Sequence, residues 1–192
     1  MALGGTVSVV ALQESVAPEA QAGRVIAHAL LRLPFIASVS PEEQDLLADA
    51  EIHEKSFLRE RILLCVCAIE ATLDDALAPD VARDVRRAFR STLSNEAALP
   101  TVAVSGEILD KLTSYYIDAV EVDATGTNAL VDDLSDLECA FGDRLLALGE
   151  DNELRGRACV MLSMSLPKVL WSAGAQIARE VLRDVRLLGP DH

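Results

Sequence analysis

Apolar residues recur with a helical period of about 3.6 along nearly the whole chain. Alternation of the kind found in strands is confined to two short runs, TVSVVAL at residues 6–12 and LPTVAV at residues 99–104. Proline, glycine and short polar clusters separate the helical segments. The pattern predicts an all-α, single-domain bundle of about six or seven helices. We expect residues 1–17 to form a loosely ordered N-terminal extension and residues 18–192 to form the bundle domain.

Prolines and capping residues mark the first helix boundaries. The first helix is predicted to run from Pro18 to about Leu33, where another proline follows. In SPEEQDLL, Ser40 and Glu43 have the spacing of a capping box, in which each side chain bonds to the other residue's backbone amide. Pro41 occupies the first helical position, where a missing N–H costs nothing. A second helix is therefore predicted to begin at Pro41.

Two segments are apolar on every side of a helix. The pattern that begins at Pro41 continues to about Leu77, with a kink or break near HEKS at residues 53–56, and includes ILLCVCAI at residues 62–69. The second segment is ACVMLSMSL, which ends just before Pro167. A helix that is hydrophobic all round must be surrounded by others, so both segments are predicted to be buried central helices. The proline predicts a kink or helix boundary after the second.

Four further segments are amphipathic. They are a helix from Pro79, a helix after Ser105, a helix over residues 128–148 and a tail over residues 171–188. The positions predicted to be buried lie on their apolar stripes: Val81, Val85, Phe89 and Leu93; Ile108, Leu112, Tyr115 and Ala119; Leu130, Leu134, Leu137, Phe141, Leu145 and Leu148; and Trp171, Ala178, Val181, Val185 and Leu188.

The balance of charge narrows the classes of partner. Seventeen basic residues against thirty-one acidic residues give a formal charge of −14. Such a charge repels phosphate backbones and anionic lipid headgroups, which argues against direct binding to nucleic acid or to a membrane surface, and it favours a basic protein partner. The N-terminus has no basic residue before Arg24, and no uninterrupted apolar run reaches about 18 residues. We therefore expect a cytoplasmic protein without a signal peptide or membrane span.

Two neighbouring helices carry acidic stripes opposite their apolar faces. Between Lys111 and Arg144 there are eight acidic residues and no basic one. A short loop joins the two helices, which favours an antiparallel hairpin with both apolar faces turned inward. The acids then face outward as one partner-binding surface, which we assign to Glu107, Asp110, Asp118, Glu121, Asp132, Asp136 and Asp143.

One string within this acidic region offers a different interpretation. Asp132-Asp133-Leu-Ser-Asp136 reads D-D-x-x-D and resembles the first aspartate-rich motif of class I terpenoid and prenyl diphosphate synthases. The resemblance implies an all-α enzyme in which these three carboxylates hold Mg²⁺ ions that bind and ionise a diphosphate. The interpretation as a binding module instead assigns no catalytic residue, no cofactor and no metal site to the chain.

Other candidate residues have structural explanations. The row Arg83, Arg86, Arg87 and Arg90 can grip an anion or pair with acids of neighbouring helices, and intramolecular pairing is favoured in so acidic a chain. His28 lies in an apolar run and is predicted to be a core or boundary residue. The four cysteines, which we predict to be reduced and buried, are Cys65, Cys67, Cys139 and Cys159.

Three hypotheses of function follow. The first is a non-enzymatic, acidic protein-binding module, such as an inhibitor or an immunity or antitoxin-type protein that docks on a basic partner. The alternative is a Mg²⁺-dependent enzyme of the terpenoid or prenyl-diphosphate type. The third is a homo-oligomer that associates through the amphipathic tail at residues 171–188.

Overall fold

The computed structural model describes residues 17–95, 106–125, 135–148, 153–164 and 166–188, which form helices joined by short connections, without a strand. The predicted all-α class is confirmed, with nine helices in this part of the chain where about six or seven were expected. Residues 1–16 and both strand-like runs lie outside it. The helices are α1 (Pro18–Leu31), α2 (Pro34–Ala37), α3 (Pro41–Asp49), α4 (Glu54–Ala76), α5 (Pro79–Asn95), α6 (Gly106–Thr125), α7 (Asp136–Leu146), α8 (Glu153–Ser163) and α9 (Leu166–Asp184).

The start of α3 is the predicted capping box. The Ser40 hydroxyl accepts a hydrogen bond from the Glu43 amide at 3.2 Å, and the Glu43 carboxylate accepts one from the Ser40 amide at 2.7 Å. Pro41 is the first helical residue, as predicted. The two bonds satisfy amides that have no partner within the helix, so the boundary follows from local sequence alone.

The interruptions expected in the two long helical patterns are both present. Between α3 and α4 the chain turns at Glu51, whose φ is 54°, and the Ile52 amide returns to the Leu47 carbonyl at 2.9 Å. The break thus lies just before the predicted HEKS segment. Helix α8 ends at Ser163, and Pro167 stands in the first turn of α9, where no intrahelical amide is lost.

Helix α4 is the centre of the bundle. Every residue from Glu60 to Glu70 is buried, which confirms the prediction for the first apolar segment. Helices α5, α6, α7 and α9 all contact α4. Gly174 permits the approach of α9, because a Cβ atom there would lie 2.6 Å from the carbonyl oxygen of Cys65 on α4. Because Gly174 has no side chain, the two backbones approach closely, and α4 and α9 form one tightly packed pair.

The second apolar segment is buried on one side only. Ala158, Cys159 and Leu162 of α8 are in the core, whereas Val160 and Met161 are exposed. The prediction that this helix is surrounded on all sides is therefore wrong for its outer side. Helix α8 packs against α3 and α7, and more weakly against α9, on its inner face. Its outer face has no cover among the described residues.

Several side chains differ in burial from the prediction. Helix α6 buries Ala119 and packs Leu112 partly against the core, as predicted, but it also buries Leu109, Thr113 and Tyr116 and exposes Tyr115, so its packed face extends to one side of the predicted stripe. Cys139 is exposed, in contrast to the buried position expected for it, and His28, which was expected in the core or at its boundary, is exposed as well. These differences arise because the neighbours of a helix, which its own periodicity does not specify, decide which flank is covered.

Two buried arginines satisfy carbonyl groups at helix ends. Arg61 on α4 donates to the carbonyl of Phe35 at 2.9 Å, pairs with Glu43, and lies over the ring of Phe57. Burial lowers the pKa of Arg61, and the carboxylate of Glu43 opposes that shift. Arg155 on α8 donates to the carbonyls of Ala50 and Leu145, at the C-terminal ends of α3 and α7. A cation placed at two helix C-termini also interacts favourably with both helix dipoles.

One segment of the described residues, Leu154–Asp184, is long and apolar enough by length and composition to cross a membrane. Within the bundle, 47% of its most apolar window is buried. Core helices of water-soluble proteins meet the same two criteria, so this segment is weak evidence for a membrane span.

Candidate protein-binding surface

Ser135 is the N-cap of α7. It lies inside the D-D-x-x-D string of residues 132–136, so only Asp136 of that string belongs to α7. Ser135 has extended backbone angles, φ −76° and ψ 162°, and α7 begins at Asp136. The Glu138 carboxylate accepts from the Ser135 amide at 2.8 Å, and the Glu138 amide donates to the Ser135 hydroxyl at 3.4 Å. A continuous helix over residues 128–148 was predicted, and that prediction is wrong at Ser135. Asp132 and Asp136 therefore do not share the face of one unbroken helix.

The structure places the predicted acids in three different situations. Asp118 and Glu121 on α6 and Asp143 on α7 are exposed. Asp136 is half-buried at the start of α7. Asp110 is exposed and accepts a hydrogen bond from Arg90 at 2.9 Å, so its charge is compensated. The side chain of Glu107 and the whole of Asp132 lie outside the described residues.

Tyr115 belongs to the exposed acidic surface, although its position on the apolar stripe of α6 predicted a buried side chain. Its side chain is 41% exposed on α6 and bonds to Asp143 of the adjoining α7. Its ring lies 5.5 Å from that of the buried Tyr116. Partial burial raises the pKa of Tyr115, and the carboxylate of Asp143 raises it further, so the phenol stays protonated at neutral pH.

These residues form one patch on two packed helices, which we call the Tyr115 surface. Asp118 and Glu121 follow Tyr115 along α6 at successive intervals of three residues, and no Lys or Arg of the described chain forms an ion pair with either. Exposed Cys139 stands one turn before Asp143 on α7. The Tyr115 surface thus consists of Tyr115, Asp118, Glu121, Cys139 and Asp143.

A buried ion pair fixes α7 beneath this surface. The guanidinium of Arg144 donates to both carboxylate oxygens of Glu60 on α4, at 3.1 and 3.0 Å. Glu60 is buried, and Arg144 is 33% exposed. The one arginine of α7 is therefore directed inward and compensated, which leaves the outer carboxylates as the dominant charge.

The arginine row on α5 is engaged internally. Arg90 donates to both oxygens of buried Glu70 at 2.6 Å, which raises the pKa of that guanidinium. Arg86 pairs with Asp74, and Arg87 pairs with Asp84 one turn earlier on the same helix. Three of the four arginines thus take the predicted intramolecular pairing, and Arg83 is exposed.

Among the described residues there is no group of three or more His, Cys, Asp or Glu side chains placed to hold a metal ion. A cleft of about 280 Å³ lies between α4, α6 and α9, where Glu121, Trp171 and Arg179 contribute to its walls. It adjoins the acidic end of α6, so the Tyr115 surface continues into a shallow depression beside Trp171.

Thiol chemistry offers a check on this arrangement. We expect Cys139 alone to react rapidly with iodoacetamide in the native protein near neutral pH. Burial raises the pKa of Cys65 and of Cys67 to about 12, so both thiols stay neutral as well as inaccessible, and the thiolate is the reactive form. Mass spectrometry should show one adduct, absent in Cys139→Ser, and four after denaturation. Fast native labelling of Cys65 or Cys67 would contradict the packing of α4.

Comparisons of the chain with protein-family models, with curated proteins and with solved structures returned no match.

Proposed function

We propose that the chain is a non-enzymatic protein-binding module whose Tyr115 surface docks on a basic protein partner. Inhibitors and immunity or antitoxin-type proteins act in this way, by occupying a cationic site. The observation that carries the proposal is the exposed aromatic ring of Tyr115 among the carboxylates of Asp118 and Asp143 on two packed helices.

This combination suits recognition of a cationic side chain. Tyrosine is enriched among the residues that dominate binding energy at protein interfaces, because its ring buries a large area with few rotatable bonds. An arginine of the partner can stack on such a ring while its guanidinium bonds to a neighbouring carboxylate. Tyr115 is held by Asp143 and by packing on Tyr116, so little conformational freedom is lost on docking.

The net charge supports the same partner class. At −14 the chain attracts a basic protein from a distance of about one Debye length, roughly 8 Å at physiological salt. Arg144 of α7 is bound by Glu60, and Arg90 of α5, which also contacts Asp110 of α6, is bound by Glu70. Their pairing removes two positive charges from those that could weaken the outward field.

Site-specific crosslinking tests the location of the surface. A photoreactive phenylalanine analogue in place of Tyr115 should crosslink to a discrete basic protein in the native host, and the same analogue in place of exposed Val25 on α1 should not. If positions 115 and 25 give the same crosslinks, or neither gives any, docking at the Tyr115 surface is contradicted. Mg²⁺-dependent turnover of a prenyl diphosphate that is lost in Asp136→Asn would support the enzymatic alternative instead.

Affinity for the crosslinked protein is expected to depend on these residues specifically. Tyr115→Ala should weaken binding about 30-fold, the effect of losing an interface anchor of about 2 kcal/mol. The pair Asp118→Asn and Glu121→Gln should weaken it about tenfold. A matched pair on α3, Glu42→Gln and Asp45→Asn, removes the same charge from exposed positions elsewhere. Equal losses for both pairs would show that only net charge acts.

A further inference from the structure

Large exposed apolar side chains are concentrated in one stretch of the bundle. Of the seven such residues in the described chain, only Val25 and Tyr115 lie elsewhere. Single exposed apolar residues are ordinary, but a contiguous group marks an interaction site. The other five are Leu154 at 65% exposure, Val160, Met161, Met164 and Val169.

The exposed positions of α8 have the spacing of a helix-pairing seam. Leu154, Arg157 and Met161 are separated by three and four residues, and Met164 directly follows the last residue of α8; all four are exposed. At about 100° per residue the three helical positions fall on one stripe, with the a and d spacing of a coiled coil. The opposite side of α8 is already packed against α3 and α7. A helix that is apolar on its outer stripe as well as on its inner one requires a second packing partner.

The charge of this region is compatible with a second copy of the chain. Residues 154–179 contain no Asp or Glu and four basic residues, although the whole chain carries −14. Two copies repel each other through most of their surfaces. Contact through α8 brings no acid of this stretch against its copy, so the repulsion between acids is smaller there than on an acidic helix such as α6.

The groove beside α8 is complementary to itself. It has a volume of about 200 Å³ and lies between α3 and α8, where Leu46, Leu154 and Met161 line it. Asp49 stands on the α3 wall and Arg157 on the α8 wall, and both are exposed. Because the groove carries one acid and one base, an isologous contact across it allows each Arg157 to meet the Asp49 of a second copy, so that one charge pair is made twice.

We propose that the outer face of α8 is a self-association surface, through which two copies of this chain pair about a two-fold axis. Leu154, Met161 and Met164 pack against the second copy, and Arg157 pairs with its Asp49. Self-association was predicted through the tail at residues 171–188. The apolar residues Ala178, Val181 and Leu182 of α9 lie in the core, so we assign the contact to α8 instead. The proposal is independent of the Tyr115 surface, which shares no residue with it.

The contact surface is only one helix wide, and this limits the expected affinity of the dimer. Stable complexes bury about 800 Å² on each partner, and an interface smaller than that is typically weak. We therefore expect a dimer that forms in the micromolar range or above and dissociates on dilution. Added salt should strengthen it, because screening reduces the repulsion between two chains of −14, whereas salt should weaken docking on a basic partner.

Sedimentation equilibrium of the full chain over a range of concentrations tests the proposal. The wild-type chain should pass from monomer to dimer, and Met161→Glu, which brings two carboxylates together near the axis, should raise the dimer dissociation constant about tenfold or more. Val25→Glu introduces the same residue at an exposed apolar position of α1 and should leave the constant unchanged. Circular dichroism checks that both variants keep their helices.

A charge exchange keeps the test decisive if Met161→Glu fails to fold. Arg157→Asp should weaken the dimer, and adding Asp49→Arg should restore it, since the exchanged pair again joins opposite charges across the axis. A wild-type chain that stays monomeric at every concentration would overturn the proposal. So would equal effects of Met161→Glu and Val25→Glu, or an exchange that restores nothing.

Discussion

Replacement of Arg155 by leucine is expected to lower the free energy of unfolding by about 3–5 kcal/mol. The Arg155 guanidinium is buried and donates to the carbonyls of Ala50 at 2.9 Å and Leu145 at 3.2 Å. Leucine fills part of the volume but leaves two buried carbonyls at helix ends without these donors. A domain of ordinary stability has about 5–15 kcal/mol in total, so the loss should be visible as a large shift in the urea midpoint.

The matched control for this variant is Arg24→Leu. Arg24 is exposed on α1, and surface substitutions of this kind change stability by about 0.5 kcal/mol or less. Both variants remove one positive charge from the chain, so any effect of net charge is common to them. Urea unfolding followed by circular dichroism separates the two, and a difference of under about 1 kcal/mol would contradict the assigned role of Arg155.

Gly174→Ala is the second substitution with a large expected effect. A Cβ atom at Gly174 would meet the carbonyl oxygen of Cys65 at 2.6 Å and the Cβ of Ala68 at 3.1 Å. Both atoms belong to or stand close to the backbone of α4, so α9 itself must move away. Overpacking of this kind costs about 1–3 kcal/mol and occasionally more, and we expect the upper part of that range for the central helix pair.

Gly156→Ala is the matched control, and it should raise the free energy of unfolding where Gly174→Ala lowers it. Apart from the neighbouring backbone of α8 itself, nothing lies within 4 Å of a Cβ placed at Gly156. Alanine is the better helix former, so this variant should gain about 0.5–1 kcal/mol. If both glycine variants change stability in the same direction and by a similar amount, the close approach of α9 to α4 is not the determinant.

Capping residues and prolines predicted a helix boundary correctly where no apolar pattern ran across it. The box of Ser40 and Glu43 was recognised because a proline and an apolar run follow it, and the structure confirms it. The same S-x-x-E spacing occurs at Ser135 and Glu138. It was overlooked because leucines at helical intervals run through it without interruption, so periodicity alone suggested one helix. Capping geometry, which depends on individual residues, outweighed the average pattern.

The site was less accessible to sequence reasoning. Tyr115 and Tyr116 are adjacent, and either can belong to the apolar stripe of α6; the choice of Tyr116 is made by packing on α4 and α7. The pairing of Glu60 with Arg144 joins residues 84 positions apart, and no local pattern specifies it. Exposure of Met161 likewise depends on how many helices surround α8. The acidic stripes of the helices could be predicted from the sequence. The basic residues that pair with some of these acids, such as Arg90 with Asp110, could not.

The most direct test of the proposed docking is the salt dependence of the dissociation constant between this chain and the protein that crosslinks at position 115. For the wild-type chain and for Glu42→Gln with Asp45→Asn, we expect binding to weaken steeply as salt is raised, because the Tyr115 surface is intact in both. For Asp118→Asn with Glu121→Gln, the dependence should be clearly shallower. The same slope for all three proteins would contradict docking through the Tyr115 surface.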